Sequence, residues 1–173
     1  MSLMVKKQTH VPYAIVAALI IIVLGVALYL AGLAFEDWAQ YAELVPYLII
    51  IILNAIAYSK ANEGYVTFGN VFGSGFKLSL IVAVIMAAWG VVSLMIFPEM
   101  KEKSMEMAEQ KLMDRGYSEE QIEANLEMTR KYFGLFVVIA LLFMHIFWGA
   151  IFSLIGAAVA KKKGERPPQF DLQ

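Results

Sequence analysis

The sequence contains no cysteine and only two histidines. The lack of cysteine excludes a disulfide framework, a thiolate nucleophile and thiolate-based zinc or iron–sulfur sites. Charged residues are scarce, at 17% against about a quarter in soluble domains. The formal net charge of −1 argues against nucleic acid as a partner, because nucleic-acid-binding domains are usually basic. We find no catalytic or cofactor motif, so we expect no cofactor, no metal and no enzymatic activity.

Apolar side chains, in contrast, make up 60% of the chain. They are concentrated in four blocks without Asp, Glu, Lys or Arg, which cover residues 11–35, 44–59, 78–97 and 132–160. Alone or with flanking residues, each block is long enough to cross a hydrocarbon core of about 30 Å as a helix. The sequence therefore predicts an all-α integral membrane protein, a single domain over residues 1–173 with four transmembrane helices in the lipid bilayer.

The first block follows Lys6 and Lys7, as the apolar region of a secretory signal peptide would. Its apolar stretch is far longer than the roughly 7–15 residues of a signal peptide, and no A-x-A cleavage site follows it. We therefore interpret this block as the first transmembrane span rather than as a cleaved leader.

The distribution of Lys and Arg indicates the orientation, because cytoplasmic loops carry an excess of these residues. The first connection has none, only Glu36, Asp37 and Glu43, whereas Lys161–Lys163 form a basic stop after the fourth block. The connection 98–131 carries basic residues too, so the difference between the two sides is small. We predict that both termini, including the tail 161–173, lie in the cytoplasm.

Residues 98–131 have the pattern of a helical hairpin between spans 3 and 4, outside the cytoplasm. Pro98 suits the first position of a helix, and Gly116 suits its C-terminal stop. Ser118 and Gln121 then form a capping-box pattern for a second helix. We expect that helix to run without a break into the fourth span.

This hairpin segment is rich in methionine, at Met100, Met105, Met107, Met113 and Met128. An adaptable surface for a protein partner is one interpretation, because thioether side chains adapt to irregular surfaces. A Cu(I) site is another, which the lack of His and Cys in the segment disfavours. The simplest interpretation is that methionine fills the seam between the two helices.

Small residues recur along one face of the third span and one face of the fourth. They are Gly75, Ser79, Ala83 and Ala87, and then Gly149, Ser153 and Gly156. Membrane helices associate closely where such residues line the contact. We predict helix packing at these positions, either within the chain or between copies in a homo-oligomer, with a pore-lining face as the alternative.

Polar residues within the blocks are few, and the two most notable are His145 in the fourth and Asn54 in the second. A titratable residue in a membrane span is a functional candidate by default, which makes His145 our candidate functional residue. A hydrogen bond across helices would satisfy a neutral imidazole equally well. A proton relay normally needs several titratable groups, and the blocks contain no acidic residue.

The connection before the third span is rich in glycine, but it contains no phosphate-binding loop, because no Gly-Lys-Ser/Thr occurs. Thr67 is a candidate N-cap for the helix that follows. Phe68, Phe72 and Phe76 recur every fourth residue and would share a face at the membrane interface. A contact with lipid headgroups is one function open to this connection.

Several segments together resemble a known family. They are residues 63–69, residues 75–77, the Pro98 exit with its Ser118–Ile122 second helix, and Ser153–Ala157 before the lysine cluster. They resemble the bacterial family called domain of unknown function forty-one ninety-nine, typical of Bacteroidota, from about Val11 to Lys163. The resemblance implies a four-span inner-membrane protein with no assigned activity and no catalytic residues.

Two functions remain in competition at this point. The first is a non-enzymatic structural or interaction subunit, with the outside hairpin or the small-residue faces as its binding surface. The alternative is a small oligomeric transporter or channel subunit, in which His145 would be the main polar group. A membrane enzyme is the least supported, because no set of catalytic side chains lies at membrane depth.

Overall fold

A computed structural model describes residues 6–164 of the chain. Within that range the regular structure is entirely helical, which confirms the predicted all-α class. The helices are α1 (His10–Leu30), α2 (Ala39–Ala42), α3 (Leu44–Ala61), α4 (Phe68–Ile96), α5 (Glu99–Asp114) and α6 (Glu119–Val159). Most of the predicted C-terminal tail lies outside the described residues.

Four segments are long and apolar enough to cross a membrane: His10–Leu30, Ala39–Ala61, Phe68–Ile96 and Glu119–Val159. Only 17 to 39% of the most apolar part of each is buried inside the protein. The remaining apolar surface needs a lipid environment, because water would not solvate it favourably. The prediction of four membrane-crossing helices is confirmed, and the chain is a multi-pass membrane protein.

The chain forms two compact units. Among the described residues, the first consists of residues 6–83 and 144–164, and the second of residues 84–143. Helices α4 and α6 therefore contribute to both units.

In the first unit, α1 packs against α3. The buried residues of α1 are Ala14, Ala17, Ala18 and Ile21, a mostly small set at helical spacing. The buried face of α3 contains both apolar and polar side chains, namely Tyr47, Ile50, Ile51, Asn54, Ala55, Tyr58 and Ser59. Because small residues let helix axes approach closely, the alanines of α1 allow this contact. The polar side chains on α3 then have to find partners inside the protein.

In the second unit, α5 ends at a glycine turn, where Gly116 has a φ of +78°. The expected capping box is present: the Gln121 amide donates to the Ser118 hydroxyl at 3.4 Å, and the Ser118 amide donates to Gln121 Oε1 at 3.1 Å. Helix α6 then continues into the fourth span, but not without a break. The backbone at Tyr132 is non-helical (φ −111°, ψ 18°), so α6 is kinked where the charged part of the helix meets its apolar part.

Candidate functional site

His145 lies in the part of α6 that belongs to the first unit, and it is only 2% exposed. It precedes the first lysine of the basic stop, Lys161, by roughly 24 Å of helix. If Lys161 lies near the headgroups, as lysines at the ends of spans usually do, His145 lies within a hydrocarbon core of about 30 Å. The imidazole is therefore a titratable group at membrane depth.

Glu43 is the charged neighbour of this histidine. Its Oε1 lies 3.9 Å from His145 Nε2, and its side chain is 24% exposed. Glu43 directly precedes α3 and falls within the candidate span Ala39–Ala61. From the sequence, Glu43 was predicted to lie in the first connection, and the apolar blocks contain no acidic residue. The structure corrects that interpretation, because the carboxylate is turned inward beside His145.

Tyr47 completes the group from one turn further along α3. Its side chain is 1% exposed, and its hydroxyl donates to the backbone carbonyl of His145 at 3.0 Å. The phenol ring centre lies 5.7 Å from that of the imidazole and 5.7 Å from that of Phe152. Glu43 and Tyr47 are four residues apart and so share one face of the chain at the start of α3. That spacing was the one signal in the sequence that could have identified Glu43.

The small residues of the two predicted faces lie at contacts between helices. A Cβ atom added to Gly75 would come 2.7 Å from Ser153 Oγ, and one added to Gly149 would meet Ser79 and come 2.6 Å from the Tyr47 hydroxyl oxygen. The structure therefore brings α4 and α6 together at Gly75–Ser153 and at Ser79–Gly149. These contacts leave no room for larger side chains.

The remaining residues of that set have different surroundings. A Cβ atom added to Gly156 would lie 3.1 Å from Ala55 Cβ of α3. Ala83 is fully buried in the first unit, whereas Ala87 belongs to the second unit and is 8% exposed. The hydroxyls of Ser79 and Ser153 donate to the carbonyls of Gly75 and Gly149 in their own helices, at 3.0 and 2.6 Å. Such local bonds leave a smooth apolar surface for packing.

Asn54 forms a second polar layer, closer to the end of α3. It is fully buried, its Oδ1 accepts a hydrogen bond from the Thr9 hydroxyl at 2.7 Å, and its Nδ2 donates to Ser74 Oγ at 3.2 Å. Thr9 precedes α1 and Ser74 lies in α4, so one amide joins three segments of the first unit. This arrangement gives Asn54 a role in holding the helices together.

The chemistry open to the Glu43–His145 pair is the binding of a proton. With one titratable proton the pair is neutral overall, either as a carboxylate with an imidazolium or as a carboxylic acid with an imidazole. Loss of that proton would leave a net negative charge in a medium of low dielectric constant, which is costly. Within residues 6–164 no group of three or more His, Asp and Glu residues is arranged to hold a metal ion.

Four apolar helices with a carboxylate–imidazole pair between two of them define the chain as a polytopic helical membrane protein. The family model described as "Protein of unknown function (DUF4199)" matches residues 12–162. The chain belongs to this family, which confirms the resemblance found in the sequence. No curated protein and no solved structure matches the chain.

Proposed function

We propose that this chain is a non-enzymatic subunit of a small oligomeric transporter or channel in the bacterial inner membrane, with Glu43 and His145 as its proton-binding pair. The observation that carries the proposal is the 3.9 Å separation of Glu43 Oε1 and His145 Nε2. Titratable groups at membrane depth are energetically costly, and they commonly mark ion and proton pathways.

The surroundings of the pair support a proton as the ligand. Residues 11–30 of α1, 78–96 of α4 and 132–159 of α6 contain no Asp, Glu, Lys or Arg. Glu43 is thus the only acidic residue that the apolar parts of the four spans offer to His145, and Tyr47 is the titratable neighbour of both. Two ligands are too few for a cation that needs six or more oxygen atoms, whereas a single proton needs only one acceptor.

The proposal includes an oligomer because four spans are few. Small residues pack these helices closely, so we expect helices from several copies to line the transport path together. We also propose that both termini lie in the cytoplasm. The absence of Lys and Arg from residues 31–43 and the lysines at 6, 7 and 161–163 support this orientation. The connection 98–131 then lies outside the cytoplasm.

The proposal predicts that purified protein in phospholipid vesicles raises proton entry when a potassium gradient with valinomycin sets the membrane potential. Glu43→Gln and His145→Gln should each lower that flux at least about tenfold, because removing one member of a proton-transfer pair typically costs a hundredfold or more. A pH-sensitive dye inside the vesicles provides the measurement.

The matched control is Glu36→Gln, the same chemical change at an exposed residue of the α1–α2 connection. It should leave the flux unchanged. Thermal unfolding of each variant in detergent shows whether the fold is kept. Flux that equals that of empty vesicles for the unsubstituted protein, or that survives Glu43→Gln in a folded protein, would contradict the proposal.

A second candidate is a structural or interaction subunit that binds a partner through residues 98–131. Exposed apolar side chains support it: Met113 is 49% exposed, Met128 61% and Tyr117 44%. All three lie in the charged residues 98–131 of the second unit, before the apolar block of α6, and the proposed topology places these residues outside the bilayer. Exposed apolar groups outside the bilayer are typical of protein-binding surfaces.

This candidate predicts that photo-reactive residues at Met107 and Met113 capture one dominant foreign protein in native membranes, identified by mass spectrometry. Deletion of residues 99–130 should abolish co-purification of that protein. A probe at exposed Leu19, on the apolar surface of α1, serves as the control and should capture mainly lipid. Equal capture from all three positions, or co-purification that survives the deletion, would rule out this surface.

A further inference from the structure

The lysine-bearing segments of the first unit meet around the last turn of α3. Asn62 Oδ1 accepts a hydrogen bond from the Lys7 amide at 3.0 Å, and Asn62 Nδ2 donates to the Lys7 carbonyl at 3.1 Å. The paired bonds fix the N-terminal segment against the end of α3, much as a short strand pairing would. Lys7 is thereby held beside the helix terminus that carries Lys60.

The segment that follows α6 is fixed to the same place. The Ser59 hydroxyl donates to the Lys161 carbonyl, and the Lys163 amide donates to the Gly64 carbonyl at 2.7 Å. Gly64 has a φ of +80°, which glycine adopts without strain, and a Cβ there would come 3.3 Å from the Lys163 side chain. Two chain segments distant in sequence therefore flank α3 through backbone contacts.

This arrangement places six lysines at the same end of the first unit: Lys6, Lys7, Lys60, Lys161, Lys162 and Lys163. Over residues 6–10, 59–67 and 160–164, Glu63 is the only acidic residue. Six like charges close together repel one another unless counter-ions are bound. The hydrogen bonds that hold these segments together are made by backbone atoms and by Asn62 and Ser59. The segments therefore cannot move apart to relieve the repulsion between the lysines.

Three of these ammonium groups have partners within the protein. Lys6 Nζ donates to Asn70 Oδ1, and Lys162 Nζ donates to the carbonyls of Ala157 and Ala160 at the end of α6. Lys163 Nζ lies 5.2 Å from the centre of the Tyr65 ring. These three side chains stabilise the fold of this end of the unit.

The other three, Lys7, Lys60 and Lys161, are exposed, and their ammonium groups form no hydrogen bond or ion pair within residues 6–164. All three belong to segments that meet at the last turn of α3: Lys60 lies in that turn, the Lys161 carbonyl accepts a hydrogen bond from Ser59, and the Lys7 backbone is bound by Asn62. Three unneutralised ammonium ions at one end of the first unit attract an anionic group such as a phosphate.

We infer that Lys7, Lys60 and Lys161 form a binding site for the phosphate headgroup of an anionic phospholipid. The location at the ends of three apolar segments favours a lipid over a soluble anion, because this is where headgroups meet a membrane protein. Tyr65 and Phe68, which lie under Lys163 and Lys162, are aromatic residues of the kind found at membrane interfaces. The inference does not depend on proton transport.

The test uses the full chain in a neutral detergent, titrated with phosphatidylglycerol or phosphatidylcholine and followed by native mass spectrometry. The unsubstituted protein should retain phosphatidylglycerol in preference to phosphatidylcholine. In the variant with Lys7→Gln, Lys60→Gln and Lys161→Gln, the retention of phosphatidylglycerol relative to phosphatidylcholine should fall at least about tenfold. Each lysine near an anionic surface raises the affinity roughly fivefold.

The control removes the same number of charges from α5, by Lys101→Gln, Lys103→Gln and Lys111→Gln, and should keep the preference. Equal retention of the two lipids by the unsubstituted protein, or an unchanged preference in the first variant, would overturn the inference. Displacement of phosphatidylglycerol by inorganic phosphate at equal concentration would also overturn it, because the site would then bind a free anion. Thermal unfolding without lipid shows that both triple variants fold.

Discussion

Substitution of Gly149 by valine should destabilise the first unit by about 3 kcal/mol, the upper part of the usual range for an overfilled core. A Cβ at this position would meet Ser79 and come 2.6 Å from the Tyr47 hydroxyl oxygen. Ser79 is short and fully buried, so it cannot move out of the way without a shift of α4. Since membrane helices are held together mainly by close packing, a shift of the axes would cost the contact itself.

The measurement is reversible unfolding in mixed detergent micelles, followed by circular dichroism and by an engineered tryptophan signal. The control is Gly73→Ala, because a Cβ added to Gly73 has no neighbour within 4 Å. Alanine favours a helix over glycine by about 1 kcal/mol, so this control should be neutral or slightly stabilising. Equal losses from both changes would mean that the contact between Gly149 and Ser79 is not tight.

A smaller side chain at Ser79, the neighbour of Gly149, offers a second check on the same contact. Gly149→Ala should be partly rescued by Ser79→Gly, which removes the side chain nearest to the new methyl group. The two changes should therefore be non-additive, as expected of residues in direct contact. Additive losses would indicate that each change acts on a separate part of the fold.

The features that the sequence predicted well are those that depend on nearby residues. The capping box of Ser118 and Gln121 follows from a four-residue pattern, and so does the N-cap at Thr67, whose hydroxyl accepts from the Asn70 amide at 3.3 Å. The four spans follow from long apolar blocks. In each of these cases the chemistry that stabilises the element is contained in one short segment.

Glu43 could not be predicted in the same way. Its position just outside an apolar block is typical of an interfacial charge, and only the path of the chain through the short helix α2 turns it toward His145. The two residues are far apart in sequence, so no local pattern joins them. The same holds for Asn62 and Lys7. Their paired hydrogen bonds join the residue that follows the end of α3 to a residue that precedes the start of α1.

The kink at Tyr132 is a third example. The sequence from Ser118 to Ala160 contains no proline and predicted an unbroken helix, although it has a glycine, Gly134, two residues after Tyr132. The non-helical backbone occurs beside Lys131, whose ammonium lies 5.3 Å from the centre of the Tyr132 ring. At this point the helix changes from charged to apolar residues. The charged half is suited to water and the apolar half to lipid.

Truncation of Tyr47 to alanine should cost the first unit about 3 kcal/mol, and it should abolish proton flux as well. The ring is 1% exposed and contacts both His145 and Phe152, so its removal leaves a cavity beside the proposed proton-binding pair. Large-to-alanine changes at aromatic core positions typically cost about 3–5 kcal/mol, and we expect the lower end because no transfer from water is involved in a bilayer. Unfolding in mixed micelles measures the loss.

Tyr47→Phe separates packing from polarity at the same position. It keeps the ring and removes the hydroxyl that donates to the His145 carbonyl at 3.0 Å, which should cost only about 1 kcal/mol. If the hydroxyl holds the His145 segment of α6 in register with Glu43, flux should fall several-fold in this variant while the protein stays folded. Unchanged flux in Tyr47→Phe, together with loss in Tyr47→Ala, would mean that the ring alone positions the Glu43–His145 pair.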